Sequence, residues 1–142
     1  MLKRFSFWLW ATAIFQLLSA AIHSLSFFID NPPANDTEKQ MTTLLTTYKL
    51  DMGAGFRPTM MDLMSSLSLG FLLLCAMGGI LNLYLWKRKI PIRVMKGVMA
   101  INMIVFGVCF AFMIFNSFLL PVCSTGLIFI GSVAAFATAR PS

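Results

Sequence analysis

Charged residues are scarce in this chain, at 11% of its 142 residues, whereas soluble domains carry about 25%. Hydrophobic residues make up 58% of the sequence, and the mean hydropathy is +0.82. This balance excludes an ordinary soluble domain, because a chain this apolar could not cover its surface with polar groups. The composition therefore indicates an integral membrane protein.

The residue patterns of several kinds of chemistry are also missing. The sequence has one histidine, and its three cysteines have no C-x-x-C spacing, so no metal site is predicted. No GxGxxG, P-loop, HExxH or GxSxG pattern occurs, so catalysis is not expected. A single four-helix unit also lacks the second half and the paired broken helices of many transporters. No cofactor is predicted, although a haem or a quinone at the one histidine stays open.

Acidic residues are confined to one part of the chain, since all five lie between positions 30 and 62. Most basic residues lie at the N-terminus, between 87 and 96, or at the C-terminus: Lys3, Arg4, Lys87, Arg88, Lys89, Arg93, Lys96 and Arg140. Lys and Arg concentrate on the cytoplasmic side of membrane proteins. The net charge of +6 is therefore interpreted as a topology signal, and no nucleic-acid partner is predicted.

Four apolar segments can each cross a hydrocarbon core of about 30 Å at about 1.5 Å per residue. They run over 7–29, 62–86, 94–116 and 118–139. We predict an all-α membrane protein: a single transmembrane domain, 1–142, that forms an antiparallel bundle of four helices. With Lys3 and Arg4 inside, four crossings place the 30–61 loop outside and both termini in the cytoplasm. The predicted partner is then the lipid bilayer.

The N-terminus has an alternative interpretation as a secretory signal peptide. MLKR followed by FWLWATAIFQLLSAA has the charged, apolar and small-residue regions of such a peptide. Apolar residues nevertheless continue through Ile29, which gives the segment a spanning length. An uncleaved first helix is therefore expected.

The 30–61 loop has its own pattern. Pro32 and Pro33 stop the first helix, and TEKQMTTLLTTYKL has apolar residues at helical spacing, which predicts a short amphipathic helix. Its apolar face would lie on the outer leaflet or cover the bundle. DMGAGF, with two glycines, predicts a flexible return to the membrane.

Polar side chains inside the spans are the candidate site, because such groups usually face the bundle interior. Four polar residues of the first helix are 3, 4 and 3 positions apart, which puts them on one stripe of that helix. Three polar residues of the third span are seven positions apart and form a second stripe. The first stripe is Gln16, Ser19, His23 and Ser26, and the second is Asn102, Cys109 and Asn116. Each residue also has a structural explanation, since Asn and Gln often join helices by hydrogen bonds.

We predict a polar pocket around His23, near the outer boundary. Its candidate members are His23, Asp62, Gln16, Asn102, Asn116 and Arg57. Cys109 and Cys123 fall in the same outer layer, which allows a redox role if the two thiols meet.

The stretch GFRPTMMDLMSSLSLG, residues 55–70, begins the second span. Thr59 and Asp62 fit the S/T-x-x-D/E capping pattern, and Pro58 disfavours helix at Arg57. Asp62 thus has a structural role as a helix cap. A further hypothesis is that Asp62 also holds His23 or Arg57.

The sequence resembles a family of small bacterial four-helix membrane proteins without an assigned function. The resemblance rests on IHSLSFF at 22–28, the 30–61 loop, the 55–70 stretch and GILNLYL at 79–85. Helix number and size are also similar to DoxX-like proteins, some of which are linked to redox stress or quinone chemistry. Neither resemblance implies a catalytic residue.

Three functions are compatible with these features. The first is a non-enzymatic accessory or binding protein that accepts a small apolar ligand near His23. The second is a DoxX-like redox component that uses His23 with Cys109 and Cys123. The third is a structural subunit of a homo-oligomer or of a larger membrane complex.

Overall fold

The computed structural model describes residues 2–29 and 32–139 and folds them almost entirely into helices. The helices are α1 (Leu2–Leu25), α2 (Asp36–Thr47), α3 (Met60–Lys87), α4 (Ile92–Asn116) and α5 (Leu119–Thr138). All but α2 are long and apolar enough to cross a membrane. This confirms the predicted all-helical fold with four long apolar helices. Two of the charged residues, Asp30 and Arg140, lie outside the described residues.

The first helix ends at Leu25, earlier than the predicted end at Ile29. The next residues form a hydrogen-bonded turn, in which the Ser26 N–H donates to the His23 carbonyl oxygen over 3.2 Å. The Ser26 hydroxyl donates to the same oxygen over 2.7 Å. Serine side chains compete in this way with helical hydrogen bonds. The helix therefore ends before the run of apolar residues does.

The short helix α2 begins at a reciprocal cap. Asn35 Oδ1 accepts the Glu38 N–H over 2.9 Å, and Glu38 Oε2 accepts the Ala34 N–H over 2.8 Å. These bonds satisfy backbone donors that a helix start leaves free. No residue of α2 is buried, and Met41 and Leu44 on its apolar face are about 60% exposed.

The predicted flexible return forms a tight hairpin instead. The Leu50 N–H donates to the Pro58 carbonyl oxygen over 2.9 Å, and the Met52 N–H donates to that of Phe56 over 3.1 Å. The turn needs positive φ at Gly53 (79°), Ala54 (50°) and Gly55 (82°). Glycine adopts this conformation without a Cβ clash, which explains why the loop can be glycine-rich and still ordered.

The chain forms two compact units. The core unit contains the residues up to Ala20 and those from Leu74 onward, and the loop unit is Ala21–Leu73. In the core unit, α1, α4 and α5 enclose an apolar cluster of Phe5, Leu9, Met95, Met99, Ala135 and Ala139.

Glycines let the helices of the core unit approach closely. A Cβ on Gly79 of α3 would lie 2.7 Å from Leu17 Cγ and 3.0 Å from the Ala13 carbonyl oxygen of α1. A Cβ on Gly131 of α5 would lie 2.6 Å from Thr12 Oγ1 of α1. Small residues commonly serve this purpose between helices in lipid.

Candidate functional site

Three side-chain amides meet inside the core unit. The Gln16 Nε2 of α1 donates to Asn102 Oδ1 of α4 over 2.8 Å, and the Asn82 Nδ2 of α3 donates to Gln16 Oε1 over 2.9 Å. Gln16 is fully buried, and Asn82 is 1% exposed. We call Gln16, Asn82 and Asn102 the amide triad, and it joins three of the four long helices.

Two members of the predicted pocket, Gln16 and Asn102, are thus brought together, whereas Asn82 was not among the pocket candidates. Its position carries a sequence signal, because Cys75, Gly79 and Asn82 are spaced 4 and 3 apart and are the buried residues of α3. Gly78 makes room beside the triad, since a Cβ there would lie 2.7 Å from Gln16 Nε2.

His23 lies in the loop unit, near the end of α1. Its ring packs edge-on against Phe71 of α3, with 5.4 Å between ring centres and 73° between planes. The Nε2 atom is buried and has no hydrogen-bond partner among the described residues. The side chain is half-buried and therefore presents a buried, unused polar atom beside an aromatic ring, and leaving a buried polar atom without a hydrogen bond is costly.

The Asp62 side chain is hydrogen-bonded to Thr59 at the start of α3. Its Oδ2 accepts the Thr59 N–H and the Thr59 hydroxyl, each over 2.8 Å. In return, the Asp62 N–H donates to Thr59 Oγ1 over 3.2 Å. These reciprocal bonds make a capping box, and Thr59 itself is only 9% exposed.

The hypothetical contact between His23 and Asp62 is not formed. Within the described residues, no hydrogen bond or ion pair joins the two side chains. Phe71, the neighbour of His23, lies about 13 Å beyond Asp62 along α3 at about 1.5 Å per residue. Arg57 does not meet Asp62 either: it pairs with Asp51 over 3.6 Å, and both side chains are 68% exposed.

The other candidate residues join neither the amide triad nor His23. Asn116 is exposed, and its Nδ2 donates to the Phe112 carbonyl oxygen of its own helix over 3.0 Å. Cys109 is partly buried, Cys123 is exposed, and both are free thiols.

The packing of α4 on α5 sets the relative position of these cysteines. Gly107 lies against Phe129, and Gly126 lies against Phe110. This register places Cys123 about one turn from the position opposite Cys109, an offset of about 6 Å along the helices. The offset does not favour a disulfide. Within residues 2–29 and 32–139, no three His, Cys, Asp or Glu side chains are grouped to hold a metal ion.

Comparisons of the chain with family models, curated proteins and solved structures returned no match.

Proposed function

We propose that this chain is a multi-pass protein of the bacterial cytoplasmic membrane, in which α1, α3, α4 and α5 cross the bilayer as an antiparallel bundle. The four long apolar helices support this proposal, as do outward-facing side chains such as Leu67 (76% exposed) and Phe115 (85% exposed). The basic residues of the turn after α3 support a cytoplasmic location for that turn and for both termini.

Within the membrane, we infer that the protein is a non-enzymatic binding protein for a small apolar ligand with one polar group. The observation that carries this inference is the buried, unpartnered Nε2 atom of His23. An imidazole buried in lipid or protein needs a partner, and ionisable side chains in membrane spans commonly mark a ligand or ion site. The proposed site is His23 and Phe71, with the ligand's polar group at Nε2.

The chemistry of His23 limits the ligand. A neutral imidazole carries its proton on one nitrogen, so Nε2 either donates to a carbonyl or accepts from a hydroxyl. Phe71 supplies an apolar surface beside it. A lipid or a quinone combines an apolar body with such a group, and each fits this description.

Co-purification tests this function with two contrasting variants. We expect mass spectrometry of an organic extract to find a stoichiometric small molecule with the wild type, and the same molecule with His23→Gln. The Gln carboxamide reaches about as far as Nε2 and can donate or accept. His23→Phe keeps an aromatic ring without a polar atom, so the molecule should be lost. Equal recovery with all three proteins, or no recovery with any, would contradict the proposal.

A further inference from the structure

The amide triad is a hydrogen-bonded chain with a fixed direction. It ends at the Val98 carbonyl oxygen of α4, which accepts from Asn102 Nδ2 over 3.0 Å. A carbonyl oxygen can only accept, so Asn102 must turn its NH₂ group toward Val98 and its Oδ1 toward Gln16. Gln16 must then present Nε2 to Asn102 and Oε1 to Asn82, and Asn82 must present Nδ2 to Gln16.

This direction leaves one acceptor at the far end of the chain. Asn82 Oδ1 is buried and has no hydrogen-bond partner among the described residues. Turning the Asn82 amide over would not help, because Oδ1 would then face Gln16 Oε1, and two acceptors cannot bond to each other. Turning all three amides over would place Asn102 Oδ1 against the Val98 oxygen, which moves the same conflict to the other end.

A buried acceptor without a donor is rare in folded proteins. We infer that Asn82 Oδ1 is a binding site for one hydroxyl group, which donates to it and completes the triad. The inference is independent of the ligand at His23, because it rests on the core unit alone.

Charge decides between a neutral donor and a cation. All Asp and Glu residues lie between positions 30 and 62, so the core unit has no acidic side chain to balance a bound cation. A lone cation inside a membrane protein carries a large desolvation penalty. A hydroxyl donates a hydrogen bond without charge. It could belong to a water molecule, which commonly bridges buried polar groups, or to a bound alcohol or phenol.

Carboxamide NMR of the wild-type chain in lipid nanodiscs tests this site, with asparagine as the only labelled residue type. Asn102 is the internal reference, because its Oδ1 accepts a hydrogen bond from Gln16. We expect the ¹³Cγ signal of Asn82 to be shifted downfield, as for Asn102, and to receive magnetisation from an O–H proton. An upfield ¹³Cγ signal for Asn82 without any transfer from an O–H proton would overturn the inference.

Replacement of the bound lipids identifies the source of the hydroxyl. If the donor is water, replacing them with a defined synthetic lipid leaves the ¹³Cγ shift unchanged. If the donor is an alcohol or phenol, lipid replacement moves the Asn82 signal upfield. Either result supports the site. Because the experiment uses the wild type, it does not depend on whether an Asn82 variant folds.

Discussion

Asn102 and Asn116 are the same residue type on the same helix, and each Nδ2 donates to the carbonyl oxygen four residues earlier over 3.0 Å. They differ in their surroundings, since only Asn102 also accepts from Gln16, and Asn116 is exposed. The pair therefore compares an asparagine that joins two helices with one that does not. It also shows why intervals of seven were insufficient: an α-helix drifts about 20° per heptad, and Asn116 lies at the exposed end of α4.

Replacing each of these asparagines by leucine tests that difference. We expect Asn102→Leu to lower the free energy of unfolding by about 1–2 kcal/mol, because it leaves Gln16 Nε2 buried without an acceptor. Asn116→Leu should change it by less than about 0.5 kcal/mol. Reversible unfolding in mixed micelles measures both values. Equal costs for the two variants would show that the triad does not stabilise the fold.

The sequence predicts part of the membership of the amide triad, since Gln16 and Asn102 were candidates and Asn82 was not. Ser26 of the 3-4-3 stripe lies in the turn after α1 and is exposed, whereas Gln16 and Ser19 face the interior, where they are 0% and 7% exposed. Their partners depend on how the helices rotate and slide against one another. Gln16 is 66 and 86 positions from Asn82 and Asn102, and no local pattern specifies contacts over such distances.

Helix α3 begins where its capping sequence predicts. The Thr59–Asp62 pattern spans four residues, and its hydrogen bonds are short-range, so sequence alone can indicate them. The end of α1 was less predictable, because apolar side chains continue through Phe28 and Ile29 in a turn. The length of the apolar run depends on side-chain hydrophobicity, whereas the end of the helix depends on backbone hydrogen bonds.

The cap gives a prediction for the first turn of α3. Thr59→Ala removes the hydroxyl that accepts from the Asp62 N–H, and we expect a cost of about 1 kcal/mol. Amide hydrogen exchange at Asp62 should accelerate accordingly. Thr59→Ser keeps the hydroxyl and should leave the exchange near the wild-type rate. Exchange that is equally fast in both variants would mean that the threonine methyl group, not the cap, stabilises this turn.

The packing of the helices gives a further prediction, for which two helical glycines serve as test and control. Gly79→Ala should destabilise the protein by about 1–3 kcal/mol, because its Cβ would press on Leu17 and on the Ala13 backbone. Gly97→Ala has no neighbour within 4 Å and should be neutral or slightly stabilising. Thermal unfolding in detergent measures both variants. If Gly97→Ala lowered the stability as much as Gly79→Ala, the assigned packing of α1 on α3 would be contradicted.

The proposed topology places α2 and the turn after α3 on opposite sides of the membrane. Charge supports this orientation, since Lys87 ends α3 and Arg88 and Lys89 follow it, whereas Asp36 and Glu38 lie in the first turn of α2. Thr46 and Lys89 are both exposed, so either position can carry a reporter.

Labelling of single cysteines tests the topology in a variant whose three native cysteines are replaced. With a maleimide that does not cross membranes, Thr46→Cys should react in intact spheroplasts. Lys89→Cys should react only after lysis. Labelling of position 89 before lysis, or protection of position 46, would overturn the proposed orientation.

We propose that the Nε2 atom of His23 binds the polar group of an apolar ligand, and NMR tests this directly. The chain has one histidine, so selective ¹⁵N-histidine labelling gives the ring signals of this residue alone. We expect the Nε2 signal of protein purified with its native lipids to shift on lipid extraction and to return when the extract is added back. An Nε2 signal that is the same before extraction, after extraction and after reconstitution would contradict the claim.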